Sequence, residues 1–272
     1  MCGVVGLHLL SPLLYPRLGE LLISMNGAEP GGVAVYGDSL WSPERHATVS
    51  IAADGAPESI RSAVEDALGA VVSMHDYAPT LVLHAATTGR ALAAAVTEAV
   101  PHAEVIGQGQ DATVFASASR HVGLVRAVGW QGIAGTQPWS AGPDQCVMQI
   151  GEFTNGDTVR RDLERDGAAF GSDDDAEVAA RFIAAQIEQS VDLEKALALA
   201  CDAFDGDFTL LATTSDSLAV VRGTTASEPV LVAEAADWVA VASGYPALAG
   251  LPDIATADVH EAEAERVHAW WR

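Results

Sequence analysis

Apolar residues recur along this chain with two different spacings, and the alternation between them sketches the fold. Val4, Val5, Leu7, Leu9 and Leu10 crowd into one short run, which predicts a buried strand. Leu14, Leu18, Leu21, Leu22 and Met25 then fall three or four apart and predict a helix over 13–25. Residues 26–32 (NGAEPGG) are a loop by composition. Strands are predicted over 33–40 and 47–52, and a helix over 57–72, entered through Ala56-Pro57 with Glu58 in the first turn, where negative charge suits the helix dipole. A short buried strand at 80–84, an alanine-rich helix at 90–100 and strands at 104–106 and 112–116 follow.

Between residues 123 and 151 strand and irregular loop alternate, and helices are predicted over 158–165, 174–189 and 193–204. The last quarter reads as four evenly spaced strands, 208–213, 217–222, 229–233 and 238–242, an antiparallel meander. Strands at both ends of the chain with helices packed outside predict an α+β fold, two antiparallel sheets facing each other in a layered sandwich. No repeat, low-complexity tract or linker divides the sequence, so one domain over 1–272 is the simplest account.

The totals narrow the function. The chain has 272 residues, 49% of them hydrophobic, enough for one large core or two small ones. Its net charge of −23, with Lys195 the only lysine, repels phosphate backbones and anionic membranes, which argues against nucleic-acid and membrane-surface roles. Three cysteines, Cys2, Cys146 and Cys201, are too few for a disulfide scaffold and point to a reducing, cytoplasmic setting. The apolar start has no basic residue before Arg17 and is broken by Pro12 and Pro16, so it fails as a signal peptide. No apolar run approaches the ~20 residues a membrane span requires.

Cys2 carries the sharpest chemistry. Removal of Met1 would leave its thiol beside a free α-amine, and an amine with a pKa near ~8 can take the proton of a thiol near ~8.5. A small apolar residue at a strand start is the competing account.

Eight stretches then line up in order: MCGVVG, the loop before GVAVYG, VGLVRAVGWQ, QPWS, QIGEFTN, FGSDDDAEVAARF, DGDFTLLAT and ASGYPAL. Together they resemble the class II glutamine amidotransferases, which are N-terminal-nucleophile hydrolases. They look most like the short stand-alone kind similar to the first domain of glutamate synthase, a subunit of N-methylglutamate synthase. The resemblance covers essentially the whole chain and implies a four-layer αββα sandwich. It implies Cys2 as nucleophile, attacking the side-chain amide of glutamine and releasing ammonia through a glutamyl thioester. It places Arg126 on the arginine that grips the substrate α-carboxylate, a bidentate clamp suited to a free amino acid; an edge-strand surface arginine is the plainer reading. It places Asp175 on the aspartate that binds the α-amine, although Ser172 with Asp175 three residues on also reads as a helix-capping box. Gly151 keeps the family's backbone oxyanion donor, and Asn155 is kept as well.

The same resemblance exposes departures. The family's His-Asn-Gly triplet is Gln149-Ile150-Gly151, so a side-chain amide donor becomes a hydrocarbon, a loss that typically costs roughly 10²–10³ in rate. Asn26 stands where the loop arginine is expected, Gln137-Pro138 replaces His-Pro, and Leu124 and Gly129 replace a histidine and a threonine. Two functions follow. One is a glutaminase subunit serving synthase subunits of a glutamate-synthase-like complex. The other is a degenerate structural or amino-acid-sensing subunit of the same complex. Neither calls for a cofactor.

The other chemistry-bearing residues point elsewhere less strongly. None of the eight histidines is paired at a chelating spacing, and Asp173-Asp174-Asp175 lacks the glycine and distal glutamate of a calcium loop, so no metal is expected. Gly107-Gln108-Gly109 is too short for a phosphate or dinucleotide fingerprint. Cys146 reads as a packed thiol. Trp270-Trp271 reads as a docking spot or a clamp on the fold.

Overall fold

The computed structural model describes residues 4–17, 21, 24–25, 31–36, 47–77, 80–109, 112–117, 127–129, 138–142, 145–214 and 217–271. The chain opens with β1 (Val5–Leu9), a 3₁₀ turn (Pro12–Arg17) and β2 (Gly31–Tyr36). A βαββαβ run follows: β3 (Ala47–Ala52), α1 (Pro57–Leu68), β4 (Val72–Tyr77), β5 (Thr80–Ala85), α2 (Gly89–Ala99) and β6 (Glu104–Gly109). Next come β7 (Ala112–Ser117), β8 (Ala127–Gly129), β9 (Trp139–Gly142) and the long β10 (Gln145–Phe153). Helices α3 (Gly156–Arg165), α4 (Asp175–Glu188) and α5 (Leu193–Ala203) precede β11 (Gly206–Thr214) and β12 (Ser217–Arg222). The chain continues through β13 (Leu231–Glu234), β14 (Trp238–Ala242), α6 (Tyr245–Leu248), β15 (Asp258–Glu261) and β16 (His268–Trp271).

The α+β sandwich is present. A seven-stranded sheet, β15-β13-β14-β1-β8-β2-β7, faces a five-stranded sheet, β16-β12-β11-β10-β9, and the strand pairs within both are antiparallel. Alternation along each strand builds the layers. On β12, Leu218 and Val220 point between the sheets while Ala219 and Val221 point at α4 and α5. On β14, Val239 and Val241 join that inter-sheet core, and Trp238, Ala240 and Ala242 meet Leu21, Met25 and Leu248 on the outer side. Strands buried on both faces need apolar residues at nearly every position, which is why these segments read as runs.

The predicted four-stranded meander is instead two hairpins in different sheets. β11 pairs with β12 and β13 with β14, and the chain crosses between sheets after Arg222. Arg222 is 8% exposed and fastens this crossing. Its guanidinium donates to Glu261, to the Ala262 carbonyl at 2.9 Å and to the Ala226 carbonyl at 3.0 Å.

A third sheet, β4-β5-β3-β6, was not foreseen. Its βαββαβ order is that of a ferredoxin-like split βαβ unit, with α1 and α2 covering one face over Val49, Ile51, Leu81 and Leu83. Strand β4 is hidden in the sequence because apolar spacing continues through Val72. The helix itself stops at Leu68, where Gly69 turns left-handed (φ 68°) and its N–H bonds back to the Glu65 carbonyl. The predicted helix over 13–25 begins as the 3₁₀ turn, since Pro16 has no N–H to donate; Leu21, Ser24 and Met25 are helical.

Candidate functional site

The site is assembled from the far end of β10 upward. Gly151 sits there with φ +87°, paired with Phe208, and a Cβ on it would lie 1.9 Å from the Asp207 carbonyl oxygen. Only glycine fits this close approach of two backbones. The Gln149 side-chain amide donates to the Gly151 carbonyl at 3.2 Å, fixing the peptide's orientation. Ile150, between them, packs against the inter-sheet core, the same cluster that holds Val4.

Beyond Gly151 the chain turns into α3 over an aromatic base. Phe153 stacks on Phe204 with centroids 4.0 Å apart, and Phe208 and Phe182 meet these rings edge-on. Asn155 is tied down. Its Nδ2 donates to the Ala203 carbonyl and its Oδ1 accepts from the Asp205 N–H, both at 2.9 Å, so it splices α3 to the α5–β11 turn.

Asp175 comes to this point from the first turn of α4. Its Oδ2 accepts the Phe153 N–H at 2.9 Å, and its Oδ1 lies over Gly156, where a Cβ would meet it at 2.7 Å. The predicted capping box is two residues out of frame. Asp174 is the N-cap and accepts from the Ala176 N–H at 2.8 Å, while Ser172 donates to Glu177. Asp175 is therefore half-buried at the turn from β10 into α3, with Oδ2 engaged by the Phe153 N–H and Oδ1 over Gly156.

The loop that aims Asp175 is rigidly held. Arg160 of α3 donates to the Ser172 carbonyl at 2.8 Å and lies over the Phe170 ring at 4.3 Å. Glu177, 1% exposed, accepts from the N–H groups of Gly171 and Ser172, from the Ser172 hydroxyl and from Arg181. Burial alone would raise the Glu177 carboxyl; these bonds outweigh it and hold it below its ordinary value. Neither Arg160 nor Glu177 was singled out from sequence. The Asp174-x-x-Glu177 spacing is the signal that locates the true cap. Asp174 itself is raised, chiefly by burial and also by the Asp175 charge, against the opposing bond from Ala176.

Cys2, Arg126, Asn26, Gln137 and Leu124 lie outside the described residues. The flanking strands are described: β8 pairs with β1, Val5 opposite Val128 and Gly6 opposite Ala127. Cys146 is buried within β10, and burial, with the charges of Glu265 and Asp202, pushes the Cys201 thiol up to about 11. A thiol so raised stays protonated and is a poor nucleophile. Among the described residues no three His, Cys, Asp or Glu side chains gather closely enough to hold a metal ion, and no helix is long and apolar enough to cross a membrane. Of the C-terminal pair, Trp270 clamps the fold, donating to Glu234 across the sheets at 3.1 Å, while Trp271 is 49% exposed.

A glutamine amidotransferase domain family matches residues 126–250, a span that opens at Arg126 and contains Gly151 and Asp175. The glutamine amidotransferase-like protein GlxB of Rhizobium meliloti (strain 1021) is 33% identical over 306 aligned positions, covering 99% of this chain and 98% of that protein. A putative glutamine amidotransferase of Methanothermobacter thermautotrophicus is 27% identical over 128 residues, 47% of this chain and 41% of that protein. Among solved structures, the glutamine phosphoribosylpyrophosphate amidotransferase from B. subtilis aligns at 16% identity with a TM-score of 0.49. That alignment covers 99% of this chain and 49% of the solved one. The 33% identity along nearly all of both chains decides the matter: this chain belongs to the glutamine amidotransferase-like family.

Proposed function

We propose that the protein is a class II glutamine amidotransferase-like subunit that hydrolyses glutamine to glutamate and ammonia for a partner synthase. The observation that carries this reading is that Asp175 is held at the same end of β10 as Gly151, its Oδ2 accepting the N–H of Phe153, two residues beyond the glycine, at 2.9 Å. In the proposed reaction the Cys2 amine takes the thiol proton and the sulfur attacks the glutamine side-chain carbonyl. The Gly151 N–H stabilises the oxyanion, and the proton leaves with ammonia. Water then hydrolyses the glutamyl thioester. Arg126 holds the α-carboxylate and Asp175 the α-ammonium.

A second reading is favoured by Ile150. Its hydrocarbon packs toward the inter-sheet core where the resemblance expects an amide donor, and this supports a subunit that binds an amino acid without turning it over. Ammonia release from glutamine, measured on the Met-trimmed protein alone and with synthase subunits, separates the two. Turnover abolished by Cys2→Ala supports catalysis, with Ile150→Asn expected to raise it by roughly 10²-fold. Activity indifferent to Cys2→Ala sinks the catalytic reading. Intact mass of the natural N-terminus gives an independent check, since a retained Met1 leaves Cys2 without a free amine.

A further inference from the structure

Gly156 opens α3 as the first residue of the helix and is buried. Its backbone is not one that demands a glycine, since unlike Gly151 it has no positive φ. Alanine would ordinarily be the better residue in such a place, because it leaves the unfolded chain fewer conformations to lose. What stands where its side chain would be is Asp175. A Cβ on Gly156 would lie 2.7 Å from Asp175 Oδ1 and 3.5 Å from the carboxyl carbon, closer than an ordinary contact, and 3.4 Å from the Phe153 Cβ. The bare Cα is therefore the floor on which the carboxylate rests, while the Phe153 N–H holds its other oxygen.

Neither side of this contact can retreat easily. Below it the turn from β10 into α3 is pinned. The Thr154 N–H donates to the Asp205 carbonyl at 2.8 Å, and Asn155 is tied through both side-chain heteroatoms to Ala203 and Asp205. Above it Arg160 holds the Ser172 carbonyl, and Glu177 holds the N–H groups of Gly171 and Ser172, so the approach to α4 is fixed as well. The soft coordinate that remains is rotation of the Asp175 side chain. A methyl at position 156 would turn the carboxylate off its seat and out of line with the Phe153 N–H, leaving α3 and α4 where they are.

We infer that Gly156 is a positioning residue, its missing side chain setting the orientation in which Asp175 meets the α-ammonium of glutamine. The inference rests on the proposed role of Asp175 in holding that group. It gives the glycine a share in substrate selection, since the contact it arranges is what tells an amino acid from its deaminated analogue. A purely structural account competes with it: the carboxylate lies at the positive end of α3 and would serve only to cap that helix. The two part over alanine. Displacing a mere cap lowers stability and is blind to the ligand's amine. Displacing a positioned ligand group removes discrimination, while the fold, with alanine at a compatible backbone, holds.

Equilibrium dialysis with L-glutamine and with 4-carbamoylbutanoate, which is glutamine without its α-amine, tests this on the full chain, and thermal melts are run on the same samples. Every sample carries Cys2→Ala, so that no glutamine is consumed. The parent chain is expected to prefer glutamine by at least roughly tenfold, the effect of one charge-assisted bond. In Gly156→Ala that preference falls to within about twofold because glutamine binds more weakly and the analogue as before. The melting midpoint stays within about 3 °C of the parent. Asp175→Asn loses the same preference, and adding Gly156→Ala to it changes nothing further, as for two residues acting through one contact. A parent chain that binds both ligands equally, or neither, sinks the Asp175 reading and this inference with it. Preference kept in Gly156→Ala but lost in Asp175→Asn overturns the inference alone. So does a Gly156→Ala chain that melts far below the parent and is not rescued by Asp175→Ala, because the obstacle is then not the carboxylate.

Discussion

The two-sheet body and the ferredoxin-like unit bury their strands by different means. In the body, β12 and β14 are apolar on both faces, and each face finds its own hydrophobic cluster. In the unit, β3 and β5 are just as buried, yet only the helix side is uniformly apolar. The opposite side presents Thr48, Ser50, Thr80 and His84, all at 2% exposure or less, with Thr48 bonded to His84 at 3.1 Å, and Val82 reaching into the body's outer cluster. Hydrophobic burial rewards many packings, whereas a buried polar face is tolerable only in the seating that satisfies it. The body is held by area on both faces of its strands, whereas this face of the unit buries polar groups, of which Thr48 and His84 bond to each other within the unit's own sheet.

The largest way to break the body is at its closest backbone approach. Gly151→Ala drives a Cβ into the Asp207 carbonyl at φ +87°, and about 4 kcal/mol or more of destabilisation is expected. At about 2–4 °C per kcal/mol the melting midpoint falls by roughly 10 °C, read by calorimetry. A wild-type melt would mean that β11 yields where the backbone leaves no room.

Next comes a matched pair of core truncations. Leu211→Ala between the sheets and Leu83→Ala under α1 and α2 each remove a fully buried side chain and are each expected to cost about 2–5 kcal/mol. Hydrogen exchange distinguishes the regions. Leu83→Ala raises exchange within 47–109 and leaves β10 to β14 protected, while Leu211→Ala loosens both main sheets. Equal loss of protection everywhere in Leu83→Ala would erase the contrast and make the whole chain one cooperative unit.

A smaller effect is expected at the loop that aims Asp175. Glu177→Gln removes a buried charge from four donors, for about 2–3 kcal/mol. Because the folded-state carboxyl is held below its ordinary value, its contribution is present above the unfolded pKa of about 4.3 and is lost as pH falls through the folded one. Stability of the wild type against that of Glu177→Gln, followed by urea melts from pH 7 downward, should converge in acid. Parallel curves across that range would show that the carboxylate charge is not what holds the loop.

How far the sequence revealed these regions follows from what each depends on. Strand and helix periods located β1, β2, β7, β11 to β14 and the helices α3 to α5, because buried faces leave a regular apolar run; β15 and β16, short and half-exposed, escaped them. The periods did not say which sheet a strand joins, so β11 to β14 read as one meander; the crossing hangs on Arg222 and residues about forty positions away. The start of α4 was legible in the sequence, but the frame of its cap was not, since Ser172 and Asp174 can each serve as a cap until the chain is folded. The seat of the Asp175 carboxylate was illegible altogether. Phe153, Gly156 and Asp175 belong to three elements that only folding brings together, and a glycine of ordinary backbone carries no local signal.

The finest test compares one helix cap from each region. Thr88 caps α2 by accepting from the Ala91 N–H at 3.2 Å, and Asp192 caps α5 by accepting from the Lys195 N–H at 2.7 Å. Alanine at either is expected to cost about 1 kcal/mol, with Asp192→Ala the larger, because a carboxylate adds charge at the positive end of the helix dipole. Size alone would teach little; location is informative. If the unit is not fused to the body by a common core, Thr88→Ala should raise exchange in α2 and its sheet alone. Asp192→Ala should be felt in β10 to β12 through the packing of α5. The reverse pattern, with Thr88→Ala loosening β10 and α4, would mean that the junction transmits strain as a packed core does, and the polar face would then be an incidental feature of a single block.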